Sequence, residues 1–179
     1  RQDLILRVAI AYFDVLLGRE RTQRSQVLKQ ADVVALLALL PEAFPGAMAE
    51  TNFRYYEPRC GHGSSLSAGM HALVAARLGD VEMALRYLRE TATADLHFNP
   101  NSAGGVRIAG LDGLWQAVML GFVGLDLMGD TLGIAPRLPT QWRSLSFRVC
   151  WKGRAVAIRI AGSTVQATLL EGEATEIRI

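Results

Sequence analysis

The chain has 179 residues, half of them hydrophobic and a fifth charged, with a formal net charge of +2. That composition belongs to a folded globular protein and excludes a disordered one. The basic residues are scattered, and the densest group, Arg19, Arg21 and Arg24, is interrupted by Glu20, so no nucleic-acid partner is expected. The apolar runs 33–40 and 117–125 are about half the roughly 20 residues that a membrane helix needs. They are expected as buried core helices, with no membrane partner. Cys60 and Cys150 lie far apart and match no metal spacing, so reduced thiols are expected rather than a disulfide.

In chain order, the period is helical up to about residue 140. Residues 31–40 are apolar nearly all round, which predicts a helix buried on most faces, stopped by Pro41. A polar, aromatic-rich loop is expected over 52–63. Ser64 or Ser65 can then cap a helix running to about Leu78, with Leu66, Met70, Leu73 and Val74 on one face. Gly79 ends that helix and Asp80 caps the next, to about Thr93. A second polar loop, 99–105, precedes a helix over 111–126. From Ser144 the period falls to two. Phe147, Val149 and Trp151, then Val156, Ile158 and Ile160, then Val165, Ala167 and Leu169, alternate with polar or small neighbours. Thr175, Ile177 and Ile179 suggest a fourth strand, making an antiparallel meander with one buried face. The expected organisation is therefore helices over 1–140 and a small sheet over 141–179.

Three segments carry chemistry. In Cys60-Gly61-His62-Gly63-Ser64-Ser65-Leu66-Ser67, the glycines allow close backbone approach, and two serines stand where a helix begins. A helix start with Ser64, Ser65 and His62 as donors suits an anion, although the serines equally suit simple capping. Lys29-Gln30 before the 31–40 helix offers a charged donor and an amide suited to paired sugar hydroxyls, or an ordinary polar helix start. Arg107 follows Gly104-Gly105 and suits a phosphate, or a structural ion pair. Glu57 is the only carboxylate near the serine loop, and no other occurs before Asp80. An inverting hydrolase needs a carboxylate base to activate water, whereas a phosphorylase uses phosphate in its place.

Taken in order, these segments resemble the C-terminal region of glycoside hydrolase family 65. Val27-Leu28-Lys29-Gln30-Ala31-Asp32-Val33 resembles the family's sugar-binding Lys-Gln segment. Tyr55-Tyr56-Glu57-Pro58 followed by His62-Gly63-Ser64-Ser65-Leu66-Ser67 resembles its phosphate loop. Pro139-Thr140-Gln141-Trp142 resembles the approach to its C-terminal sheet. The resemblance implies a mostly α, then β fold: the C-terminal part of an (α/α)6 barrel followed by a small antiparallel β-sheet domain.

It further implies an inverting phosphorylase that cleaves an α-linked glucose disaccharide with inorganic phosphate as co-substrate, giving β-glucose 1-phosphate. Lys29, Gln30 and Glu57 would bind the sugar, and His62, Ser64, Ser65 and Arg107 the phosphate. No metal or organic cofactor is implied; relatives in the family are often homodimers, and the reduced thiols give a cytoplasmic location as the expectation. The general-acid glutamate would come from sequence preceding this chain, as would the rest of the enzyme. No catalytic residue is then assigned within it, and the fragment alone is expected to be inactive. Two departures are visible. Arg107 stands where the phosphorylases usually have histidine. Gly63 stands where many have a larger polar residue, and trehalose-hydrolysing relatives share that glycine. A family hydrolase and a catalytically silent sugar-binding piece are the alternatives.

Overall fold

The computed structural model describes residues 27–28, 30–62, 64–93 and 108–179. Lys29, Gly63, Arg107 and the 99–105 loop lie outside these residues. Among the described residues five α-helices precede the strands: α1 (Asp32–Leu39), α2 (Ala47–Tyr56), α3 (Ser67–Arg77), α4 (Val81–Thr93) and α5 (Ile108–Gln116). Single 3-10 turns, Pro41–Ala43 and Glu57–Arg59, follow α1 and α2, and α5 runs on as a π-helical segment, Ala117–Phe122.

The central element is α3. Every residue from Ser67 to Ala76 is buried, so it is covered on all sides, by α1, α4, α5 and the π segment. Its small residues set how close those neighbours come. A Cβ on Gly69 would stand 2.7 Å from the Gly113 backbone of α5, so the two helices touch main chain to main chain. The end of α3 is a Schellman motif, with Asp80 N–H donating to the Ala75 carbonyl (2.9 Å) and Gly79 N–H to Ala76 (3.0 Å). Gly79 takes φ +85°, a conformation that costs glycine little. Asp80 then caps α4, its Oδ1 accepting from the Met83 N–H at 3.1 Å. Asp80→Ala is expected to lower stability by about 1 kcal/mol, read as a lower urea midpoint. The exposed Arg54–Asp80 ion pair (3.0 Å) adds little to that loss. An unchanged midpoint would mean that α4 does not depend on this cap.

Arg77 knits the helical layer together. Its guanidinium donates to the Ala38 carbonyl near the end of α1 (2.7 Å) and to Leu120 in the π segment (3.3 Å). It thus serves carbonyls that helix ends leave without partners.

Six strands follow: β1 (Leu125–Asp126), β2 (Leu132–Ile134), β3 (Leu145–Trp151), β4 (Arg154–Ala161), β5 (Thr164–Glu171) and β6 (Ile177–Arg178). β3, β4 and β5 form the expected antiparallel meander, with Phe147 opposite Ile158 and Ile158 opposite Ala167. Lys152 and Gly153, both at positive φ, make the β3–β4 turn. Val156, Ile158 and Ile160 are fully buried, and Trp151 Nε1 donates to the Leu127 carbonyl at 3.1 Å, tying the meander to the other sheet. A helical core and a sheet core share Val118, Leu120 and Leu138. The whole is a helical layer, the C-terminal part of an (α/α)6 barrel, followed by a small β-sheet region.

Five expectations are corrected. The fourth strand does not join the meander: β6 pairs parallel with β2, in a separate sheet ordered β1-β2-β6. The reach from Glu171 to Ile177 carries the chain away from β5, and Arg178 meets Asp126 of β1 at 2.8 Å. β5 buries no residue, because nothing among the described residues covers its side of the meander, and Ala167 and Leu169 are exposed. The 31–40 helix is buried on one side only, through Val34, Leu37 and Ala38, while Leu36, Leu39 and Leu40 are exposed. Among the described residues its main helical neighbours are α2 and α3. The expected 52–63 loop is helical through Tyr56, since Phe53 is an inward anchor for α2. The 111–126 helix ends at Phe122, and Leu125–Asp126 is already strand.

Candidate functional site

Leu28 and the stretch Arg59–Gly61 come together through the backbone. Leu28 N–H donates to the Arg59 carbonyl (2.8 Å) and Gly61 N–H donates to the Leu28 carbonyl (2.6 Å), a parallel bridge between Leu28 and Cys60. This pins the start of α1 beside the loop that leads into α3. Gln30 and Ser64, with Asp32, Ser67 and Met70, then line one small surface pocket. Gln30 is exposed at its mouth, and Ser64 and Ser65 are half-buried.

The serines do not cap α3. The helix begins at Ser67, its N-cap is Leu66, and no side chain bonds the cap. Ser64 Oγ instead accepts from the Leu66 N–H at 3.4 Å, closing a turn that holds the loop open ahead of the helix. Ser65 lies in the same turn, outside the pocket lining.

His62 takes φ +49°, in the left-handed region that residues with a Cβ seldom adopt. Its Nδ1 lies 2.8 Å from Ser67 Oγ, and Ser67 Oγ lies 3.4 Å from Cys60 Sγ. Behind them is His71, fully buried one turn into α3, with Nδ1 2.8 Å from the Ser67 carbonyl. That bond requires the proton on Nδ1, so Nε2 carries a lone pair. Nε2 is buried and has no hydrogen-bond partner among the described residues. Burial pushes the His71 imidazole below its ordinary value, against the Ser67 carbonyl and Glu57, which pull it up. The ring is therefore neutral. It packs 4.6 Å from the His62 ring, 5.0 Å from Tyr87 and 5.9 Å from Phe53, centroid to centroid. One ligand atom from each of Cys60, His62 and His71 lies within 4.8 Å of the others.

Glu57 faces this cluster from the 3-10 turn after α2. Tyr87 of α4 donates its hydroxyl to Glu57 Oε1 at 2.5 Å, and Arg86 reaches the same oxygen at 3.2 Å. Burial, then the hydrogen bond and charge of Glu57, push the Tyr87 hydroxyl far above its ordinary value, so tyrosine remains the donor.

Of the residues singled out in the sequence, Gln30 and Ser64 line one pocket, His62 meets Ser67 at the start of α3, Glu57 meets Tyr87 and Arg86 of α4, and Lys29 and Arg107 lie outside the described residues. Ser67, His71 and Tyr87 were not anticipated. A signal for His71 was present: it is the only polar side chain between Ser67 and Arg77 in an otherwise apolar helix.

Residues 14–116 match the glycosyl hydrolase family 65 central catalytic domain, and residues 125–179 match the family 65 C-terminal domain. A kojibiose phosphorylase of Halothermothrix orenii is 42% identical over 150 residues, 83% of this chain and 19% of the relative. An alpha,alpha-trehalose phosphorylase of Thermoanaerobacter brockii is 39% identical over 155 residues, 86% of this chain and 20% of the relative. A solved structure of a candidate kojibiose phosphorylase from the human microbiome superposes with a TM-score of 0.82 at 26% identity, covering 90% of this chain and 24% of that one. The chain spans about a fifth of the length of these curated relatives. With family models matching both its helical and its sheet portions, the chain belongs to glycosyl hydrolase family 65.

Proposed function

We propose that this chain supplies the phosphate and part of the sugar site of an inverting disaccharide phosphorylase. The observation that supports the reading is the Leu28–Cys60 bridge, beside which Gln30 and Ser64 line one pocket. Phosphate would be held by Ser64, Ser65, His62 and Arg107 and would attack the anomeric carbon from the face opposite the α-linkage. β-Glucose 1-phosphate would leave. Lys29 and Gln30 would orient the glucose. Glu57 would add its second carboxylate oxygen, the first being held by Tyr87 and Arg86. The leaving oxygen would be protonated by a glutamate outside these residues. Phosphate is the co-substrate, and no organic cofactor takes part. The names of the relatives, phosphorylases of kojibiose and trehalose, support phosphate over water as the nucleophile.

The full-length protein, given a panel of α-glucosyl disaccharides with and without phosphate, is expected to form a β-anomeric glucose 1-phosphate, read by phosphorus NMR. Glucose release that ignores phosphate would replace this reading by hydrolysis. In the same protein, Ser65→Ala is expected to weaken phosphate about 10- to 100-fold, from a charge-assisted bond worth roughly 1.5–3 kcal/mol. The sugar KM should hardly move. Equal losses for sugar and phosphate would remove Ser65 from the phosphate site.

A further inference from the structure

We propose that Cys60, His62 and His71 form a binding site for a zinc-like divalent transition-metal ion at the base of the serine loop. One ligand atom from each lies within 4.8 Å of the others, and the three come from two sides of the loop, Cys60 and His62 before it and His71 from within α3. Around a tetrahedral zinc ion, sulfur and nitrogen ligands stand roughly 3.3–3.8 Å apart, given bonds of about 2.0–2.3 Å. Closing the cluster by about 1 Å of side-chain rotation meets that geometry.

A second observation points to a ligand independently. His71 is completely buried, and its Nε2 lone pair has no partner among the described residues. A buried acceptor left unsatisfied is costly, and an ion would satisfy it. The surroundings already resemble the outer shell of a metal site. The Ser67 carbonyl fixes the His71 tautomer through Nδ1, and the Ser67 hydroxyl meets both His62 Nδ1 and Cys60. His62 is held at positive φ with its ring packed against that of His71. Thiolate with two imidazoles selects zinc-like ions over calcium or magnesium, which prefer oxygen. Three protein ligands leave a fourth position for water or a small anion. The inference goes beyond the phosphorylase reading and does not need it, although a net positive charge here would also favour an anion at the neighbouring serines.

The test uses the full chain, stripped with a chelator and titrated with Co2+ alone, so that neither sugar nor phosphate enters. One equivalent is expected to bind with a thiolate-to-cobalt charge-transfer band, and Zn2+ is expected to displace it. Cys60→Ser, nearly isosteric, should abolish the band and weaken binding by at least about tenfold. Cys150→Ser should leave both unchanged, and it serves if the first variant fails to fold, because the wild-type band must then come from Cys60. Absence of stoichiometric Co2+ binding would overturn the proposal, as would a band that survives Cys60→Ser or vanishes in Cys150→Ser.

Discussion

Phe53→Ala is expected to lower the stability of the chain by about 3–5 kcal/mol, the usual cost of emptying a fully buried aromatic position. Phe53 has no exposed surface and anchors α2 in the helical core, with its ring 5.9 Å from that of His71. The loss combines transfer of the ring to water with the cavity left behind, and α3, already covered on all sides, has little freedom to collapse into it. Against a typical total of roughly 5–15 kcal/mol, that is a large fraction. Urea denaturation of the wild type and the variant measures it. Leu36→Ala, on a side chain 40% exposed, is the comparison and should cost much less. Equal losses for the two would mean that α2 is not seated as described.

Gly69→Ala is expected to have the next largest effect. The added methyl would meet the Gly113 backbone at 2.7 Å, and main chain cannot rotate out of the way as a side chain can. The α3–α5 crossing must open, at a cost of about 1–3 kcal/mol or more. The reciprocal change is milder: a methyl on Gly113 first meets the Leu66 Cδ1 at 3.2 Å, a side-chain atom with room to adjust. The structure thus orders the two glycines, with Gly69→Ala melting at lower temperature than Gly113→Ala. The reverse order would show that the helices cross elsewhere.

Much of the candidate site is marked in the sequence because its segments are local. Ser64, Ser65 and His62 occupy one short loop ahead of one helix, and residue types and spacing suffice to mark such a segment. Glu57 stands out in the sequence as the sole carboxylate near the serine loop, with none between it and Asp80, but nothing local marks its partner. Tyr87 and Arg86 reach it from α4, about 30 positions later, and no periodic pattern predicts which tyrosine turns inward. The two serines illustrate a limit of local reading. A serine before a helix ordinarily caps it, yet here the helix starts at Ser67, and Ser64 closes a turn instead.

The sequence by itself determined the helix-to-strand succession, the alternation of β3, β4 and β5, the Gly79 stop and the Asp80 cap. Each rests on periodicity or backbone chemistry within a few residues, which neighbours in space do not alter. Only the tertiary structure decided what touches what across long separations. It placed β6 beside β2 rather than β5, left one face of α1 exposed, and joined Leu28 to Cys60. It also gathered Cys60, His62 and His71 into one cluster, although their spacing in the chain matches no metal motif. Hydrophobicity says that a side chain seeks burial, but which neighbour buries it depends on how whole elements pack, and that information is not carried by any single segment.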